Sequence, residues 1–119
     1  MKPVYQTKYH PEGNCLQACL ASIFELDLND VPEFEVEDGW YEEFREWCLE
    51  KFGLQPVDIV ADGSFDPRGW HLIHGKSPRG DWNHAIVGYD GVGRHDPYPR
   101  GNGVLYSKES YTVFIKVLK

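Results

Sequence analysis

Cys15 is the residue from which chemistry is most readily built. It follows Gly13 and Asn14 and opens Cys15-Leu16-Gln17-Ala18-Cys19-Leu20-Ala21, where Leu16, Leu20 and Ile23 recur at helical spacing. A thiol in the first turn of a helix sits at the positive end of the helix dipole, which favours the thiolate and lowers its pKa. Placement alone leaves two readings level: a nucleophile, or a small residue that starts a core helix. A nucleophilic cysteine needs an imidazole to take its proton and a third group to hold that imidazole's tautomer. His84, which opens the apolar run Ala85-Ile86-Val87, is the candidate base. Asp96 is the candidate third group, by strand register. If Tyr89-Asp90-Gly91 is a three-residue hairpin loop, Gly88 opposes Val92 and His84 opposes Asp96 on one face of the sheet. A two-residue Asp90-Gly91 turn shifts the register by one and parts them, unless a bulge intervenes. The competing duty for Asp96 is to end a strand together with Pro97.

An attacked carbonyl also needs donors for its developing oxyanion. The Cys15 N–H at a helix start is one. The side chain of Gln6, nine positions earlier, is the candidate second, with an ordinary exposed polar residue as the alternative. Candidate substrate contacts are Asn14 beside the thiol, Trp82 just ahead of His84, and Arg79, whose guanidinium suits a carboxylate or phosphate. The plain alternatives for the last two are a packing aromatic and a solvated turn. His10 lies near Cys15 in sequence but nothing orients it, and His71 and His74 read as structural or exposed. Cys15 and Cys19 are one helical turn apart, half of a zinc site, but no second pair of ligands stands at metal-like spacing. No metal and no cofactor is therefore expected.

These residues need elements to hold them. A helix is predicted over 14–26, with Asn14 as N-cap and Gln17 completing a capping box. Asn29-Asp30-Val31-Pro32 resembles a short helix start. A second helix is predicted over 38–52, capped by Asp38 and ended by Gly53. Its buried face is Trp40, Phe44, Trp47, Cys48 and Phe52, with Cys48 an inert core thiol. The acidic run 33–50 is thus amphipathic. Strands are predicted over 56–60, 70–74, 84–89, 92–96 and 111–117. Helices first and antiparallel strands later make the fold class α+β.

In order along the chain, Gln6, Gly13-Asn14-Cys15-Leu16-Gln17-Ala18-Cys19-Leu20-Ala21, Asn83-His84-Ala85-Ile86-Val87-Gly88-Tyr89-Asp90-Gly91 and His95-Asp96-Pro97-Tyr98 resemble the papain-like cysteine hydrolases. Within them the chain is most similar to the bacteriocin-leader (double-glycine) peptidase-like group and to small bacterial and phage proteins of that fold. The resemblance implies a papain-like fold, with the central helix starting at the Cys and packed on a C-terminal antiparallel sheet. It also implies Cys15 as nucleophile, His84 as base, Asp96 as orienting residue and Gln6 as oxyanion donor. Two features depart from the family pattern: the wider interval between Gln6 and Cys15, and Leu16 where many relatives have Gly.

Composition bounds the rest. The chain has 119 residues, enough for one domain spanning 1–119. Aromatics at 14% exclude disorder. Lys plus Arg number 12 against 19 Asp plus Glu, a net charge of −7, which argues against a nucleic-acid partner. Three cysteines, no signal-peptide pattern and no membrane-length apolar run point to a cytoplasmic protein without a disulfide framework. The expected activity is acyl transfer through a Cys15 thioester on a peptide, protein or small amide, in a shallow groove completed by a protein partner or a second copy. The rival expectation is a non-catalytic module of the same fold that binds a protein or small molecule.

Overall fold

The computed structural model describes residues 1–36, 38–103 and 105–117; Glu37 of the acidic run, Val104, Leu118 and Lys119 lie outside the described residues, as does the side chain of Val36. Helix α1 covers Cys15–Phe24 and helix α2 covers Trp40–Phe52, with single 3-10 turns at Leu28–Asp30 and Phe34–Val36 between them. Five strands follow: β1 (Leu54–Val60), β2 (Trp70–Lys76), β3 (Asn83–Tyr89), β4 (Val92–His95) and β5 (Ser107–Lys116). Among the described residues they form one antiparallel sheet in the order β1-β5-β2-β3-β4. The fold is α+β, as expected.

The core lies between the helices and one face of this sheet. Leu16, Cys19 and Leu20 of α1 and Phe44 and Cys48 of α2 are buried against Leu72, Ala85 and Val87. Phe24 joins the layers, stacked on Phe52 at 4.1 Å and edge-on to Phe114 at 5.2 Å. Each large aromatic removed from water contributes about 2–3 kcal/mol, enough to outweigh the modest helix propensity of α2's many aromatics. A smaller cluster of Ile73, Ile86 and Tyr111 lies apart from it.

Three local expectations are corrected. Asn14 is at the N-cap position of α1 without capping it through its side chain. Helix α2 starts at Trp40 behind Gly39 at φ 78°, so Asp38 is not the cap. The 28–30 turn ends at Val31, whose extended backbone stops a helix that the Asn29-to-Pro32 pattern had been expected to begin.

The hairpin matters most. Asp90 and Gly91 both have positive φ, 51° and 85°, so the turn has two residues and Tyr89 pairs with Val92. The expected three-residue loop is absent. Gly88 then pairs with Gly93, but Val87 pairs with His95, which makes Arg94 the extra residue of a bulge. The bulge restores the parity that the short turn removes. His95 shares a face with Val87, so Asp96 falls on the side of Ile86 and His84, diagonal to His84 and not opposite it.

Candidate functional site

Asp96 and His84 are both buried, at 6% and 4% exposure, and His84 Nε2 lies 2.8 Å from Asp96 Oδ1. The carboxylate is anchored on its far side. Oδ1 also accepts the Tyr98 N–H at 2.9 Å, and Oδ2 accepts the Gly103 N–H at 3.4 Å. Gly101 lies so close against Asp96 Oδ2 that a methyl group there would overlap it. Burial pushes the Asp96 carboxyl up, but the hydrogen bonds from His84 and Tyr98 outweigh it and hold its pKa below the usual value. An ionised Asp96 fixes a proton on His84 Nε2, and Nδ1 is left without a protein partner among the described residues.

Cys15 is the first residue of α1 and is half-buried. It lines a cleft of about 480 Å³ together with His84, Gln6, Arg79 and Trp82. Among the described residues no hydrogen bond joins Cys15 Sγ to the imidazole. Burial pushes the Cys15 thiol up to about 11, the Ala85 N–H pulls it partly back, and the nearby Glu35 carboxylate raises it further. The expected depressed thiol is thus reversed in the resting site: desolvation outweighs the helix start. Cys19, one turn on, is fully buried with Sγ against Ala85 O at 3.4 Å, and burial raises its pKa as well.

The N-terminal segment straps α1 to the end of β4. Val4 N–H donates to Ser22 Oγ at 2.9 Å, His95 Nε2 lies 2.7 Å from Val4 O, and Gln6 N–H donates to Pro97 O at 2.9 Å. That strap carries Gln6 into the cleft across its wide sequence interval. Gln6 Nε2 donates one hydrogen to Lys8 O at 2.9 Å, which leaves the second free, and Oε1 is buried without a partner.

Asn14 does not have the expected role. Its Oδ1 accepts the Thr7 and Lys8 N–H groups at 3.0 and 2.9 Å, and its Nδ2 donates to Thr7 Oγ1 and Gln17 Oε1 at 3.1 and 3.0 Å. An amide has two donors and two acceptor sites, so none remains for a substrate. Gln17 in turn donates to Leu28 O and Val31 O. The expected capping box is replaced by a clasp that ties the strap, α1 and the 28–31 turn together. Asn14 lines a neighbouring cleft of about 460 Å³ and not the one at Cys15.

Trp82 and Arg79 do reach the Cys15 cleft. Trp82 stacks on His10 with ring centroids 4.1 Å apart, and Arg79 lies 3.6 Å over the Tyr98 ring. Because the Tyr98 N–H also holds Asp96, this wall is continuous with the His84–Asp96 pair. Glu35 was not foreseen. It lies on a 3-10 turn far along the chain from Cys15, and no spacing rule links the two. It lines both clefts, and burial raises its pKa although solvent reaches it.

Among the described residues no three His, Cys, Asp or Glu side chains cluster as metal ligands would, and no helix is long and apolar enough to cross a membrane. Comparison with protein-family models, with curated proteins and with solved structures finds no match to this chain.

Proposed function

We propose that the protein is a papain-like cysteine hydrolase acting on a peptide, protein or small amide. The observation that carries the reading is the buried His84 Nε2–Asp96 Oδ1 bond of 2.8 Å behind a cleft shared with the helix-opening Cys15. Cys15 rests as a neutral thiol, so its proton passes to His84 Nδ1 as Sγ attacks the amide carbonyl. The Cys15 N–H and the free hydrogen of Gln6 Nε2 stabilise the oxyanion. The C–N bond breaks, the amine leaves with the proton from His84, and Cys15 holds the acyl group as a thioester. Water then loses a proton to His84, attacks the thioester and releases the acid and the thiol. Asp96 keeps the imidazole in one tautomer throughout.

The test is the pH profile of iodoacetamide alkylation at each cysteine, read by mass spectrometry. The expected result is Cys15 modification at neutral pH far faster than at Cys19 or Cys48, because His84 takes the proton as the thiol attacks, and its loss in His84→Ala. An intact protein whose Cys15 reacts no faster at neutral pH than Cys19 and Cys48, with no change in His84→Ala, overturns the reading. The second reading, a non-catalytic binding module of the same fold, is favoured by the raised thiol and by the missing Sγ–imidazole hydrogen bond.

A further inference from the structure

The two clefts meet at Glu35, and neither nearby cation is spent on it. Lys8, in the second cleft, pairs with Glu33 at 2.7 Å. Arg79, in the Cys15 cleft, is held over Tyr98. Among the described residues Glu35 takes part in no ion pair. Its carboxylate lies near enough to Cys15 to raise the thiol. A second acceptor lines the same cleft. Gln6 is 6% exposed and its Oε1 has no partner, because the donor side of the amide is fixed by Lys8 O. A buried acceptor without a donor is costly, and a ligand N–H would satisfy it. The cleft wall therefore carries a carboxylate and, in Gln6, a buried amide oxygen that lacks a donor, beside the thiol.

We propose that the Cys15 cleft selects ligands carrying a cationic nitrogen group, ammonium or guanidinium, bound by the Glu35 carboxylate while Gln6 Oε1 accepts a ligand N–H. The idea that this ligand is a substrate rests on the hydrolase reading; its binding does not. A cation on Glu35 also neutralises the charge that opposes ionisation of Cys15, so the right substrate would ease its own attack.

Binding is measured by NMR titration of the Cys15→Ala protein, which separates recognition from turnover. The probes are Nα-acetyl-arginine amide and its uncharged isostere Nα-acetyl-citrulline amide. The arginine probe is expected to bind at least about tenfold more tightly, with the difference shrinking as salt screens it. Adding Glu35→Gln is expected to bring the two within about twofold, whereas Glu33→Gln, whose carboxylate Lys8 already holds, leaves the ratio unchanged. Gln6→Met weakens both probes alike, since both carry N–H donors. Equal affinities, no binding of either probe, or a preference that survives Glu35→Gln overturns the proposal. Arginine selectivity in a protein whose wild type hydrolyses neither arginine nor citrulline amides upholds the cation site and removes the hydrolase reading.

Discussion

Two histidines on neighbouring strands each reach an aspartate, and only one does so beside a cleft. On β3, His84 Nε2 meets Asp96 directly. On β2, His74 Nε2 lies 2.8 Å from Thr112 Oγ1, and that hydroxyl donates to Asp58 Oδ1 at 2.6 Å. The second chain crosses β2, β5 and β1 on the sheet face that carries Leu72 and Phe114, beside Tyr41 of α2. Burial favours its neutral imidazole, pushing the His74 pKa down against the partial pull of Asp58. The residue types are nearly the same; what differs is the company. His84 shares its cleft with a thiol and an open groove, whereas His74 ties three strands together. A histidine–carboxylate contact becomes a site only where a nucleophile and room for a substrate share it.

The largest expected effect breaks that comparison most directly. Asp96→Asn puts an NH2 where Gly103 N–H now donates, or turns it toward His84 Nε2 and selects the wrong tautomer. Under the hydrolase reading, turnover falls about 10²–10⁴-fold, as for loss of a tautomer-fixing carboxylate. Neutral-pH alkylation of Cys15 falls to the His84→Ala level. Asp58→Asn can still accept from Thr112, so it leaves Cys15 alkylation within about twofold and costs about 1 kcal/mol in urea unfolding. Equal loss of Cys15 reactivity in both variants would erase the distinction between site and scaffold.

Asn14→Ala comes next. It strips partners from the Thr7 and Lys8 N–H groups and from Gln17 Oε1. The expected cost is about 2–3 kcal/mol, or roughly a 10 °C fall in Tm. Cys15 is expected to keep its dependence on His84 at temperatures where the variant is folded. Loss of that dependence would make Asn14 part of the site after all. Gly101→Ala sharpens the other side: a methyl group displaces Asp96 at a cost of about 1–3 kcal/mol and slows Cys15 alkylation without touching the cleft.

These outcomes also mark what could be seen before the fold. Five strands and two helices were legible because apolar period, Gly stops and aromatic stripes are local signals. The pairing of His84 with Asp96 was legible as a parity argument with two escapes, and the chain uses the bulge at Arg94. Its location was not legible, since a bulge in a four-residue strand whose first three residues are exposed leaves no pattern in composition. Asn14 was misread because a residue good at capping is equally good at clasping a strap, and only the fold brings Thr7 and Lys8 within its reach. The burial of the thiol was not legible because the helix start is a local feature, whereas burial and the Glu35 charge come from distant parts of the chain.

The smallest effect is a pH dependence that separates the two histidine environments by stability instead of reactivity. Burial pushes the pKa of both His71 and His74 below the ordinary 6.5. Native His71 and His74 stay neutral, while the unfolded chain gains protons as pH falls past about 6.5, so acid favours unfolding. Stability is therefore full above about 6.5 and declines from there toward the folded-state values. Asp96 adds a separate step at lower pH: its folded pKa lies below 3.8, so its contribution is intact above that value and is lost as pH falls through the folded one. The measurement is the urea midpoint from about pH 7.5 down to about pH 2. His74→Gln should flatten that slope in part, His71 supplying the remainder, whereas Asp96→Asn should leave the slope between 7.5 and 5 in place and remove the step below 3.8. A slope that survives His74→Gln untouched would place the neutral-pH sensitivity elsewhere, and the His74–Thr112–Asp58 chain would then act through packing alone.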